Sequence, residues 1–328
     1  MSTPQIILCP GQGAQHVGMG KAWADKFKSA ADTFAQADAA LGYSISKLCF
    51  EGPEAELNRT DRAQVAIYVT GVACFRALAE QGRIGTLAAT AGLSLGEFTA
   101  LHLAGAFNFL GGLSLVKLRG EAMQAAAEAT PPPGSGMVAV TGLGDEVVAK
   151  EICRLALEQG AAGPHPSPLP GGEGAGAGRG EVLVPANFNS PIQIVLSGSK
   201  GACERAAKIA EEKGFKPTIL AVAGAFHSPI MQPAADRLEA ALDKIEWNAL
   251  KCPVLSNVTA VPHDGDVKSI KRRLVEQLTS PVRWASSMQW AVANLPGQFI
   301  ELAPGKTLMG LMRRIDKSAK VENHAEPG

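Results

Sequence analysis

An α/β fold is predicted for this 328-residue chain: a parallel sheet wrapped by helices, with a smaller ferredoxin-like module inserted in it. Three observations carry the prediction. Short apolar runs alternate with longer helical patterns in the first and last thirds, which is how a parallel sheet is fed. A run of small apolar residues ending in Gly92-Leu-Ser-Leu-Gly96 reads as strand, tight turn and helix. Beyond Pro131-Pro-Pro-Gly134 the order changes to strand–helix–strand–strand–helix–strand, from a strand over Met137 to Thr141 through to a final strand over Thr218 to Ala223.

Composition sets the outer limits. Hydrophobic residues make up 46% and charged residues 19%, enough for a sizeable core. The 31 basic and 31 acidic residues cancel, so the chain as a whole carries no electrostatic footprint for nucleic acid. The first ten residues lack the positive region and apolar length of a signal peptide, and no run reaches a membrane span. Six scattered cysteines without a C-x-x-C pair read as reduced, buried small hydrophobes, and the chain is expected to be cytoplasmic.

The elements follow in order. Ile6 to Cys9 is a first parallel strand, closed by Pro10 and a glycine loop, Gly11-Gln-Gly-Ala-Gln15. That loop is not a dinucleotide fingerprint, because the third glycine would fall at His16 and no acidic strand end follows. Helical patterning occupies 21–84, with segments at Ala30 to Leu41 and Gln64 to Gln81. Thr86 to Gly92 is the strand before the turn, and Leu113 to Ala129 a helix carrying Arg119. Pro131-Pro-Pro-Gly134 breaks the pattern and marks a boundary. The division is therefore 1–133 and 224–328 for an α/β-hydrolase-like large domain, and 134–223 for the small one. Within the latter, 161–180 alternates prolines and then glycines with almost nothing to bury, a low-complexity loop expected to be disordered. Later expectations are a helix from Ile230 to Lys244, a strand over Val254 to Val258, and helices from Val267 and Trp284. Gln298 to Leu302 is a last strand, Leu308 to Ile315 a last helix, and a frayed tail follows Lys317.

The turn at Ser94 carries the chemistry. A serine flanked two residues away on each side by glycine, between strand and helix, is a nucleophile elbow. Side chains at Gly92 and Gly96 would collide with backbone there, and the helix N-terminus offers free N–H groups to a developing negative charge. A serine nucleophile needs a base, and histidine suits neutral pH. His165 and His324 lie in segments that cannot hold them, His263 sits in a turn, and His102 is eight residues along the elbow helix, about 12 Å away. Position alone leaves His16 and His227 open.

Six segments occur in one order: Pro10-Gly-Gln-Gly-Ala-Gln15, Gly92-Leu-Ser-Leu-Gly-Glu97, Leu118-Arg-Gly120, Ala225-Phe-His227, Gln277-Leu-Thr-Ser-Pro-Val-Arg-Trp284 and Pro304-Gly-Lys306. Together the chain resembles the malonyl-CoA:acyl-carrier-protein transacylase family over nearly its whole length. The resemblance implies Ser94 as nucleophile, His227 as base, and the backbone N–H groups of Gln12 and Leu95 as oxyanion hole. It further implies Arg119 as the clamp on the malonyl carboxylate and Gln277 as the orienter of His227 through its main-chain carbonyl. Phe226 would narrow the space beside the malonyl C2 and disfavour branched extenders. Malonyl-CoA is then a substrate, acyl carrier protein the partner, and no metal or redox cofactor is implied. Basic helices with Lys268, Lys271, Arg272 and Arg273, and with Arg313, Arg314 and Lys317, are candidates for the acidic carrier. The chain is expected to act as a monomer, without nucleic acid or membrane. One departure is Leu93, where the family has histidine.

Two rivals stay in view. A serine esterase or thioesterase would want an acid between Ser94 and His227, for which Asp145 is the best placed, and would have no use for Arg119. A non-catalytic scaffold would make Leu93 a sign of decay. Within the transacylase reading, fatty-acid supply and a trans-acting polyketide role are both compatible with the residues.

Overall fold

The computed structural model describes residues 3–131, 134–161 and 180–328. Nearly all of the low-complexity segment 161–180 therefore lies outside the described residues. The first part of the chain holds β1 (Gln5–Cys9), five helices α1 to α5 (Lys21–Lys26, Lys28–Leu41, Ile45–Glu51, Glu54–Leu57, Thr60–Glu80), β2 (Leu87–Gly92), α6 (Gly96–Leu103) and α7 (Phe109–Glu128). Then come β3 (Ser135–Thr141), α8 (Glu146–Ala161), β4 (Leu183–Ser190), β5 (Gln193–Ser199), α9 (Lys200–Glu212) and β6 (Lys216–Ile219). The last part holds α10 (Gln232–Leu242), α11 (Val267–Glu276), α12 (Trp284–Asn294), β7 (Gln298–Leu302), α13 (Thr307–Ile315) and β8 (Val321–His324).

The large sheet is parallel, ordered β2-β1-β7-β8. Its central strand shows why it needs cover on both sides. Ile7 and Cys9 face the core shared with α5, α6 and α7, while Ile6 and Leu8 face Trp284 and Met288 of α12 and Leu308 and Met312 of α13. Alternate residues of one strand thus feed two separate cores, as a period of two requires. The small sheet is antiparallel, ordered β4-β5-β3-β6. One face carries Val138, Val140, Ile194 and Leu196 against α8 and α9; the other turns Met137, Ala139 and Val195 into the larger core. The chain is thus an α/β fold with a parallel sheet and a smaller antiparallel one between its halves. Among the described residues no helix is long and apolar enough to cross a membrane.

Three sequence expectations are corrected. Val254 to Val258 is not a strand: Val254 makes an isolated bridge to Thr90 and Leu255 one to Pro262, and the chain then turns away to place Asn257 under the elbow. The strand expected over Thr218 to Ala223 lies earlier, at Lys216–Ile219, where it pairs with Val138 to Thr141. The tail beyond Lys317 is not frayed but adds β8 to the sheet edge, and His324, placed by sequence where nothing holds it, is buried. Long-range partners hold this segment: Glu322 receives Arg83 at 2.8 Å, and the Trp23 indole donates to the Ala325 carbonyl at 3.3 Å.

Candidate active site

The C-terminal ends of β1 and β2 bring two loops together. Ser94 sits at φ 52°, the left-handed region that a non-glycine residue enters only when its surroundings impose it. The surroundings are visible. A Cβ on Gly92 would overlap the main chain of Gly96, and one on Gly96 would overlap the main chain of Cys9. Gly11 has no room for a Cβ either, because the Leu93 carbonyl lies against it. The first glycine loop is therefore pressed onto the elbow, and Asn257 clamps it from the other side: its Oδ1 accepts from Ser94 N at 2.6 Å and its Nδ2 donates to Gly92 O at 2.7 Å.

His227 enters from the loop before α10, also in a left-handed conformation at φ 57°. Its Nε2 lies 2.8 Å from Ser94 Oγ, and its Nδ1 lies 2.8 Å from the main-chain carbonyl of Gln277. A carbonyl only accepts, so Nδ1 carries the proton and Nε2 presents a lone pair to the serine hydroxyl. Burial, then the nearby Arg119 charge, lower the imidazole from 6.5 to about 4, against the raising effect of the Gln277 carbonyl. The ring is neutral at pH 7 and able to take a proton.

Arg119, on α7, is fully buried. Nη2 donates to Ser94 Oγ at 3.0 Å and to Gln277 Oε1 at 2.9 Å, and Nη1 donates to Gln64 Oε1 at 2.7 Å. The face of Phe98 lies 5.4 Å away. All of these polar partners are neutral. Burial pushes the guanidinium down to about 9, with the charge of Glu97 pulling the other way. It stays a cation at neutral pH, in a pocket where an anion would be welcome.

These side chains open on a cleft of about 420 Å³ whose walls come from both sheets' surroundings: Gln12, Ser94, Arg119, Phe226 and His227 on one side, Asn187, Asn189 and Val195 of the small sheet on another, Leu311 of α13 on a third. Among the described residues, neither the Gln12 nor the Leu95 main-chain N–H has an acceptor. They belong to the two loops that are pressed together at the elbow, and Gln12 and Ser94 line the same cleft. The structure thus brings Gln12, Ser94, Leu95, Arg119, Phe226, His227 and Gln277 together. His16 is exposed and bonds only the neighbouring Val17 carbonyl, so it does not compete with His227. His102 is turned to the Phe107 carbonyl. Asp145 caps α8 through its side chain, and both ring nitrogens of His227 are engaged by other groups, Ser94 Oγ and the Gln277 carbonyl.

Sequence reasoning missed four residues. In the sequence Gln64 reads as part of an apolar helix, Asn257 as part of a strand, Glu97 as the end of the elbow motif, and His263 as a turn residue. A buried polar group in an apolar stretch was the available signal for Gln64; the others depend on contacts across more than 160 residues.

An α/β fold with a serine at a strained strand-to-helix turn, a histidine held by a carbonyl and a buried cation defines an acyl-transferring serine enzyme. Residues 6–159 and 172–326 match the acyl transferase domain family, and the chain belongs to that family. Over 95% of its length it is 40% identical to the malonyl CoA-acyl carrier protein transacylase of Salmonella typhimurium, covering 93% of that protein. The solved transacylase of Coxiella burnetii superposes with a TM-score of 0.88 at 34% identity, across 99% of this chain and 95% of that one. A malonyl-transacylase solved with a type II polyketide acyl-carrier protein gives 0.87 at 34% identity, across 99% and 97%.

Proposed function

We infer that this chain moves the malonyl group from malonyl-CoA to the phosphopantetheine thiol of acyl carrier protein through an acyl-serine intermediate, supplying extender units for fatty-acid synthesis. The observation that carries the reading is Arg119: a buried guanidinium, bonded only to neutral groups, with one nitrogen 3.0 Å from the serine oxygen. A plain ester or acetyl group gives such a cation nothing to bind, whereas the free carboxylate of malonate matches its planar fork.

The steps follow from the geometry. His227 Nε2 takes the Ser94 proton as Oγ attacks the thioester carbonyl, and the N–H groups of Gln12 and Leu95 receive the oxyanion. The tetrahedral intermediate expels coenzyme A, whose sulfur takes the proton back from the imidazolium. The carrier thiol then enters, gives its proton to the same nitrogen and attacks the acyl-serine carbonyl; Ser94 leaves with that proton. Gln277 O stabilises the transient imidazolium and keeps the ring in one tautomer. Phe226, lining the cleft, crowds the malonyl C2 against branched acyl groups. The chemistry is proposed to need no metal or redox cofactor.

Against a triad esterase stands the identity of the group at His227 Nδ1, a main-chain carbonyl where an acid would be required. Against an inactive scaffold stands the 2.8 Å Ser94–His227 contact. The carrier is proposed to dock beside α13, where Arg313 and Arg314 are exposed while Leu311 on the same helix lines the cleft. On α11, Lys271 and Arg273 are already engaged by Asp243 and Asp264, leaving Lys268 and Arg272 exposed. A cytoplasmic monomer without nucleic acid or membrane partners is the setting proposed, supported by balanced charge and six buried, unpaired cysteines.

The test is intact mass after mixing the protein with malonyl-CoA alone, beside a Ser94→Ala control. A malonyl-sized gain on the parent only is expected. Release of coenzyme A without an adduct would favour the thioesterase, and neither adduct nor release would favour the scaffold.

A further inference from the structure

A buried histidine–glutamate contact lies directly under the elbow and takes no part in the steps above. Glu97, in the first turn of α6, is 1% exposed, and His263 beside it is fully buried at its side chain. His263 Nε2 donates to Glu97 Oε1 at 2.8 Å. The other carboxylate oxygen, Oε2, accepts from Gln277 Nε2 at 2.6 Å and from the main-chain N–H of Asn257 at 3.2 Å. Gln277 Nε2 also donates to Ser94 O at 3.0 Å, while Oε1 of the same amide accepts from Arg119 Nη2.

The Gln277 side chain is therefore a neutral amide held between a carboxylate and a guanidinium. Only one of its two orientations works. With the NH2 toward Glu97 and the carbonyl toward Arg119 every contact is donor to acceptor; rotated by half a turn, the carbonyl would face the carboxylate and the NH2 would face the guanidinium. A residue that merely filled space could not read that difference. Glu97 reads it by charge, and His263 fixes which way the carboxylate points.

We propose that Glu97 and His263 are positioning residues for the transacylation: through the Gln277 amide they hold the Arg119 guanidinium in the orientation that grips the substrate carboxylate. The proposal rests on the malonyl-transfer reading above. The relay reaches Arg119 through a side chain but reaches His227 only through the Gln277 main chain. Loss of Glu97 therefore weakens the grip on the carboxylate far more than the reactivity of Ser94.

The experiment compares two rates in Glu97→Gln, His263→Leu and His263→Gln: loading of Ser94 from malonyl-CoA, followed by mass, and labelling of Ser94 by an uncharged fluorophosphonate. In Glu97→Gln an NH2 can replace the carboxylate oxygen that receives Gln277, so malonyl loading is expected to fall by about tenfold to a hundredfold, the scale of one lost charge-assisted hydrogen bond. Fluorophosphonate labelling is expected to stay within about threefold. His263→Leu should lower the ratio of the two rates in the same direction. His263→Gln, which keeps a donor for Glu97, should bring it back toward the parent. Equal losses in both rates, or no loss of malonyl loading, would overturn the proposal. If Glu97→Gln does not fold, the His263 pair decides alone: Leu and Gln giving the same ratio overturns it. A parent that takes up no malonyl at all would bring down the transfer reading itself, and this inference with it.

Discussion

Nδ1 of His227 donates to the main-chain carbonyl of Gln277 across 2.8 Å, so the base of this site is oriented by a peptide group and not by a carboxylate. Burial first, and the neighbouring Arg119 charge second, oppose protonation of the ring, and the peptide oxygen that works against them steadies an imidazolium less than an acid would. The base is accordingly weak, and its pH behaviour follows.

The folded state holds the His227 imidazole near 4, below its ordinary 6.5. The acid limb of kcat/KM, which reports the free enzyme, is expected well below pH 6. Replacing Arg119 by Ala removes one of the two lowering causes, so the acid limb of fluorophosphonate labelling should move upward. An unchanged limb would mean that burial alone sets the value. Stability carries the same sign: between pH 6.5 and about 4 the unfolded chain binds a proton that the folded ring does not, so stability falls as pH is lowered through that window, by roughly 3 kcal/mol at most from this group. Replacing His227 by Gln should flatten that part of the stability–pH curve, measured by denaturant titration.

Arg119→Ala is expected to cut kcat/KM for malonyl-CoA by about a hundredfold or more, a charge-assisted fork being lost from a buried site. Transfer of acetyl should persist or rise. Arg119→Lys should recover little, since one ammonium cannot hold Ser94, Gln64 and Gln277 contacts together with a carboxylate. Equal loss for both acyl groups would refute the clamp.

The glycines of the elbow make a stability prediction. Gly96→Ala places a methyl group on the Cys9 main chain and Gly92→Ala places one on that of Gly96, neither of which is a flexible side-chain end. Each is expected to destabilise by about 3 kcal/mol or more, or to prevent folding. A melting temperature within a few degrees of the parent would show that the two loops can separate.

The C-terminal segment should be indispensable to the fold. Removing residues 319–328 strips β8 from β7, leaves a bare parallel edge, and uncovers Trp23 and Cys74, which contact Ala325 O and His324 O. A clear drop in melting temperature and a tendency to associate are expected by calorimetry and gel filtration. A truncated chain as stable as the parent would make this strand dispensable.

Much of this protein is determined by sequence alone. The strand of small residues before Gly92, the alternation of apolar faces in Ile6 to Cys9, and the breaker at Pro131 are local properties, read within a dozen residues. They placed the serine, the first glycine loop and the order of elements; ordered motifs then singled out His227 and Arg119 among their kind. What tertiary structure decided is everything that depends on a partner far along the chain. Ser94 and His227 are 133 positions apart, Arg119 and Gln277 are 158, and Glu97 and His263 are 166. A glutamate in a helix and a histidine in a turn look like solvated surface residues, and a tail with little apolar character looks frayed. Packing made them otherwise: once the elbow was buried, each polar group there had to find a donor or an acceptor, and only the folded chain fixed which one it found.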